Sequence, residues 1–447
     1  METKLNLFKT RKARTYQVII LSFLSLILVG AVLLCLPISS QAGIFTSFID
    51  ALFTAVSATC VTGLVVKDTA TYWSLFGQLV ILIMIQIGGM GVITVAIGIV
   101  RASGRKIGLW ERSTMQEIMG ASRMGGIIRL VGFIIKGAVA IEIIGVLLLM
   151  PVFCRDFGAV KGIWYSVFHS ISAFCNAGFD LMGIRGPFSS FTSYRSDLLL
   201  NAVIISLIII GGIGFMTWND IREYKFKFKR YSLQSKIIFI TSLILILIPA
   251  AYFFFFEYRY LPLSQRILPS LFQSVTTRTA GFNTSDLNMM DESGNFLMII
   301  LMLIGGSPGS TAGGMKTTTI AVLLLSAFTV FARKNDVQAM QRRISNETVR
   351  NAGAILFMYL VLFILGAMII SKVDDLPFIP CLFETASAIG TVGLTMGITT
   401  VISLPSKLIL MILMFFGRVG GLTLIYAALP SDEGRSARMP LAKVTVG

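Results

Sequence analysis

The sequence predicts an all-α polytopic membrane protein in which one unit, M1–pore loop–M2, is used four times around a pseudo-four-fold pore. Three observations carry that reading. Apolar residues make up 55% of the 447 and charged residues only 13%, about half the charge of a soluble domain. Four apolar stretches each break into a short Ser/Thr-rich segment that ends in one glycine between small residues: Val61-Thr62-Gly63-Leu64, Asn176-Ala177-Gly178-Phe179, Thr279-Ala280-Gly281-Phe282 and Thr391-Val392-Gly393-Leu394. Those glycines lie 103 to 115 residues apart, the signature of a repeated unit.

Each quarter follows one plan. A first helix runs outward, a short amphipathic helix enters the membrane, the glycine loop returns, and a second helix runs back. The first helices are expected at Tyr16–Leu36, Ile127–Met150, Leu233–Phe256 and Val349–Ser371, each long and apolar enough to span a bilayer. The short helices are expected at Thr46–Thr59, Gly162–Phe174, Ser264–Thr277 and Phe378–Ile389. At about half a bilayer in length they cannot span it, and must be buried in protein or line water. Phe53, Phe168 and Phe383 each stand ten residues before their glycine and Phe272 nine, so the short helices share one register. Asp50 is expected to cap the first of them. Second helices are expected at Trp73–Val100, Leu198–Trp218, Phe296–Phe331 and Leu404–Ala428. Their motifs, such as Ile87-Gly88-Gly89-Met90-Gly91 and Ile210-Gly211-Gly212-Ile213-Gly214, read as small-residue packing surfaces.

The net charge of +16 does not point to nucleic acid, because of how it is distributed. Of the 38 Lys/Arg, 26 lie in the N-terminus, Arg101–Lys136, Asp220–Lys236, Arg333–Arg350 and Pro430–Gly447, with only 9 of the 22 acids. That asymmetry places both termini and the three basic linkers in the cytoplasm. The run Lys225-Phe226-Lys227-Phe228-Lys229-Arg230 reads as an anchor to anionic lipid. Five basic residues precede the first helix, which is too long for a signal peptide and lacks a cleavage pattern, so it is expected to be retained. The resulting organisation is an N-terminal segment 1–15, repeat 1 at 16–100, a linker 101–126, repeat 2 at 127–218, a linker 219–232, repeat 3 at 233–331, a linker 332–348, repeat 4 at 349–428 and a tail 429–447. Five cysteines without C-x-x-C spacing and the single His169 leave little room for metal, redox or triad chemistry. No covalently bound cofactor is expected.

A monovalent cation stripped of water in a bilayer needs oxygens to replace its shell. Backbone carbonyls from a loop supply them, and glycine reaches the backbone angles that turn successive carbonyls one way. Four similar loops would give rings of four carbonyls built from Val61, Thr62, Gly63, Asn176, Ala177, Gly178, Thr279, Ala280, Gly281, Thr391, Val392 and Gly393. Each short helix points the negative end of its dipole at the cavity, which favours a cation.

The third second helix carries a break over 305–317: Gly305, Gly306, Ser307, Pro308, Gly309, Gly313 and Gly314, followed by Lys316. Five glycines and a proline within ten residues cannot stay helical, and irregular backbone at membrane depth must be buried or line water. A phosphate loop is excluded, since Ser310 and Met315 occupy the positions that G-x-x-x-x-G-K-[ST] reserves for glycine. Lys316 either snorkels to the cytoplasm or pairs with a carboxylate. Arg418, a charge inside the fourth second helix, is a functional candidate by its cost, with a purely structural partner as the rival. Glu142 is expected in a structural pairing, and Arg278 and Glu384 behind the loops they adjoin.

The four registers jointly resemble the KtrB/TrkH/HKT superfamily of potassium transporters, and the length and lack of extra N-terminal helices are most similar to the bacterial KtrB branch. The resemblance implies that Gly63, Gly178, Gly281 and Gly393 mark a K+ filter, because a serine at the first accompanies sodium preference in some plant members. It implies that the 305–317 segment is an intramembrane gate under the filter, and that Arg418 is an electrostatic barrier beside it. It further implies K+ as the transported ion with Na+ as coupling or activating ion, a homodimer with Lys443-Val444-Thr445-Val446-Gly447 at its interface, and a cytosolic RCK-type nucleotide-binding ring as regulator. Expected localisation is the cell membrane, multi-pass, as a symporter and not an enzyme. The competing reading is a secondary transporter of another small solute or of Na+. Such proteins show two inverted repeats, whereas here four units run in one direction.

Overall fold

The computed structural model of the protein describes residues 2–92, 94–96, 98 and 126–428, with side chains from residue 16 onward except 422, 426 and 428. The predicted linker 101–126, save Gly126, and the tail 429–447 with Lys443 to Gly447 lie outside the described residues, as do the side chains of the N-terminal segment 1–15.

Four of the described helices contain spans long and apolar enough to cross a membrane: Tyr16–Cys35, Ile127–Phe157, Leu233–Glu257 and Asn346–Val373. They are the four predicted first helices. The first belongs to α1 (Glu2–Cys35), which is helical through the stretch expected as an N-terminal segment. Hydroxyls start the last two. Ser232 accepts a hydrogen bond from the Ser235 amide and Ser345 from the Thr348 amide, satisfying backbone donors that the helix leaves orphaned.

The short helices are α2 (Phe48–Cys60), α5 (Ala159–Phe174), α9 (Leu263–Thr276) and α13 (Phe378–Gly390). Their shared register is visible in the core, where Phe53, Phe168, Phe272 and Phe383 are all fully buried. Each short helix packs on the helix before it. α4 (Ile127–Phe157) turns straight into α5 through Gly158, whose φ of 78° makes the reversal. Asp50 does not cap α2. The N-cap position is Ser47, and Asp50 instead faces Lys407 of α14 (Leu404–Val419) at 2.8 Å and Lys67 at 3.9 Å. With 15% and 18% of their side chains exposed, Asp50 and Lys407 tie the fourth quarter back to the first.

The second helices differ from the expected ones in one respect: besides the third, whose break the sequence predicts, the other three are interrupted as well. α3 (Leu75–Met90) stops at Gly91, α6 (Leu198–Gly212) bends by 95° into α7 (Phe215–Tyr224), and α14 stops at Gly420 before α15 (Gly421–Ala428). Gly91, Gly214 and Gly420 have φ of 84°, 97° and 89°, a region closed to most side chains. The third quarter has the longest interruption, between α10 (Glu292–Leu303) and α11 (Thr317–Phe331). Beyond α11, the predicted linker 332–348 folds in part as a two-strand hairpin pairing Gln338 with Arg343.

Candidate ion pathway

The four glycine loops meet one another. A Cβ placed on Gly63 would lie 2.5 Å from the Ala177 carbonyl oxygen, and one on Gly178 2.8 Å from that of Ala280. On Gly281 it would strike the Val392 carbonyl, and on Gly393 the Thr62 carbonyl, more closely still. Each loop therefore abuts the next, and the fourth abuts the first, so the loops close a ring in sequence order. The glycines sit at φ of 92°, 70°, 83° and 92°. A side chain there would be strained in its backbone by roughly 1–2 kcal/mol and would press on a neighbour's carbonyl.

A shared left-handed turn and a set of equivalent hydroxyls hold the ring, and sequence reading missed the hydroxyls. Two residues before each glycine, Val61, Asn176, Thr279 and Thr391 are all left-handed, with φ of 58°, 57°, 65° and 51°. Ser57 and Ser387 accept from the amides of Gly63 and Gly393 at 3.1 and 3.0 Å. Ser172 and Thr276 donate to the carbonyls of Phe179 and Phe282, both at 2.7 Å. These hydroxyls were available as a signal, since the three serines stand six residues before their glycines and Thr276 five.

On one side the ring opens into a recess of about 120 Å³ that all four glycines line, together with Asp68 and Asp180. Asp68 is occupied by the loop itself, accepting from the amides of Ala70 and Phe188. Burial is the main influence on Asp180. The Asp68 charge adds to it and the Met182 amide opposes it, leaving the Asp180 carboxyl raised to about 6.

The interrupted segment of the third quarter lies against the other side. Its ends pair with each other, Gly305 N–H to Met315 O at 2.7 Å, and its middle is held by helix ends, with Thr311 N–H on Gly211 O and Gly314 N–H on Gly417 O. Thr311 Oγ1 donates to Phe174 O at 3.0 Å and lies 3.3 Å from Asn176 Oδ1. A Cβ on Gly313 would collide with the Thr391 side chain. The segment thus touches loops two and four. Those two loops flank the segment's own third quarter, so it runs from one to the other along that face of the ring.

The charges predicted near this region have specific partners. Arg418 donates to the carbonyls of Thr311 and Gly88, and to Gly89 O at 2.8 Å. Among the described residues Lys316 meets no carboxylate; its Nζ donates to Ala312 O at 2.9 Å and Gly313 O at 3.2 Å, inside the same segment. Arg278 reaches Ser242 at 3.1 Å behind the third loop. Glu384 accepts from Thr395 at 2.8 Å and from Thr399 behind the fourth. Glu142 accepts from Gln86 at 2.9 Å. His169 is a tie within repeat 2, donating from Nδ1 to Tyr165 O and accepting the Leu181 amide at 3.0 Å on Nε2. All five cysteines are free.

Such an arrangement can surround a dehydrated cation with backbone oxygen and close one side with a segment of chain. Comparison with known proteins agrees in kind. Residues 2–436 match the TrkH family model, described as cation transport protein. The chain is 40% identical to the potassium/sodium uptake protein NtpJ of Enterococcus hirae, with 92% of each chain covered. It is 39% identical to the Ktr system potassium uptake protein B of Bacillus subtilis, with 96% of each covered. The crystal structure of the potassium transporter TrkH from Vibrio parahaemolyticus superposes with a TM-score of 0.72 at 18% identity, covering 93% of this chain and 84% of that one, so the fold is shared. The chain is a multi-pass membrane protein of the TrkH family of cation transport proteins, a transporter and not an enzyme.

Proposed function

We propose that this chain is the ion-translocating subunit of a potassium uptake system of the cell membrane. Gly63, Gly178, Gly281 and Gly393, with the residues before them, form the K+ filter, and the segment from Gly305 to Lys316 is its gate. The observation that carries the reading is the position of the segment: it reaches both Asn176 and Thr391 beside the ring, and Arg418 ties it to Gly88 of the first quarter, diagonally opposite. The charge asymmetry of the linkers sets the orientation, with both termini in the cytoplasm and the recess of Asp68 and Asp180 facing outward. Potassium as the ion is supported by two relatives named for its uptake. One of those names includes sodium, which favours Na+ as coupling or activating ion and keeps Na+ uptake as the second reading.

The partners belong to the same proposal. A homodimer, with the tail residues Lys443 to Gly447 at its interface, carries a cytosolic RCK-type nucleotide-binding ring against the basic linkers. The experiment is K+ uptake in cells lacking their own potassium transporters, with and without a co-expressed ring subunit. Uptake that depends on this chain and rises with the ring supports the proposal. Growth rescue by Na+ alone, or none at micromolar to millimolar K+, overturns it.

A further inference from the structure

Among the four equivalent left-handed positions, Asn176 alone carries an amide, and its two ends point to different parts of the molecule. Nδ2 donates to Thr279 Oγ1 at 3.3 Å and lies 3.5 Å from the Arg278 carbonyl, both in the third loop. Oδ1 faces Thr311 Oγ1 at 3.3 Å, in the interrupted segment. Asn176 and Thr311 are fully buried, so neither has water to replace a lost partner. Unpaired polar groups in such a place are costly.

Thr311 also carries the Arg418 guanidinium on its carbonyl. One residue of the segment therefore meets a filter side chain by its hydroxyl and the Arg418 guanidinium by its backbone. The one Thr311 hydroxyl proton is divided between Phe174 O at 3.0 Å and Asn176 Oδ1 at 3.3 Å. If the segment withdraws, Asn176 Oδ1 loses its share of it, and the restraint on Thr279, two residues before Gly281, changes with it.

We propose that Asn176 is a specificity-positioning residue that couples the gate to the filter. With the segment seated, the Thr311 hydroxyl fixes the Asn176 amide and so the spacing between loops two and three. With it withdrawn, that spacing relaxes and the filter discriminates less. Ion preference thereby depends on gate position. The inference rests on the filter and gate reading above and adds to it a defined link between the two.

The test is a cycle on the ratio of K+ to Na+ flux, with the purified full chain in liposomes: wild type, Thr311→Val, Asn176→Leu and the double variant. Thr311→Val removes the proton and keeps the shape. It should lower the ratio by about three- to tenfold, the worth of one buried hydrogen bond. The double variant should fall no further than the lower single, because the two act through one contact. Thr311→Ser keeps the hydroxyl and should restore the ratio; this pair carries the test if Asn176→Leu does not fold. Additive losses, or a Thr311→Val protein whose total flux changes while its ratio does not, overturn the coupling. Gly393→Ser in the same assay separates the two levels. If it lowers the ratio while Thr311→Val leaves it alone, the filter stands and the coupling falls. If it leaves the ratio unchanged, the filter reading falls and the coupling with it.

Discussion

Arg418 Nη2 donates to the Gly89 carbonyl at 2.8 Å, across 329 residues of sequence. The same guanidinium holds Gly88 O and Thr311 O. It therefore clips the ends of α3 and α14 to the interrupted segment of the third quarter. Among the described residues no carboxylate forms an ion pair with it. Among the described residues its hydrogen-bond partners are carbonyl oxygens, which leave its positive charge unneutralised beside the segment proposed as the gate.

Arg418→Gln should therefore raise K+ flux, since it removes both the charge and the clip. The change is read in liposomes loaded with the purified protein, alongside its size-exclusion profile. A monodisperse variant with unchanged or lower flux contradicts the barrier. Loss of the protein from the membrane would instead mark Arg418 as a purely structural partner.

Deleting Gly309 to Gly313 removes the portion of the segment that meets Asn176 and Thr391. Basal K+ flux should rise several-fold while the α10 and α11 flanks persist. Flux that stays at the wild-type level counts against the gate.

The four loops were legible in the sequence because glycine spacing and the phenylalanine register report backbone conformation and burial, which are local properties. The breaks in the first, second and fourth of the second helices were not. Hydropathy runs unbroken through Gly91, Gly214 and Gly420, and only their positive φ separates a hinge from a packing glycine. Asp50 was misread for a different reason. A capping role is local, whereas its partner Lys407 is 357 residues away. Thr311 likewise gives no sequence signal, because its value lies in what the fold brings to it.

The Asp50–Lys407 pair predicts a stability effect. Asp50→Ala leaves a half-buried ammonium without its acid between the first and fourth quarters. A loss of about 1–3 kcal/mol is expected, between the exposed and buried cases. It would be read as a lower Tm in detergent. Lys407→Met, which removes both the charge and the need for a partner, should recover part of it in the double variant.

Asp180 gives the pH dependence its sign. Its carboxyl, raised to about 6, is charged above that pH and neutral below it. At limiting external K+, uptake should fall as external pH drops through about 6, and at saturating K+ it should not. Asp180→Asn should flatten the profile at the low rate. A variant that keeps the wild-type profile removes Asp180 from ion capture.

The glycine ring is the centre of the account, and Gly63 tests it most directly. Gly63→Ser puts a side chain against the Ala177 carbonyl at a position with φ of 92°. The decisive measurement is inhibition of K+ uptake by added Na+ in this variant and the wild type, at matched expression. If the ring is the filter, Na+ competes several-fold more strongly in Gly63→Ser. Identical competition curves in a folded, active variant would contradict it.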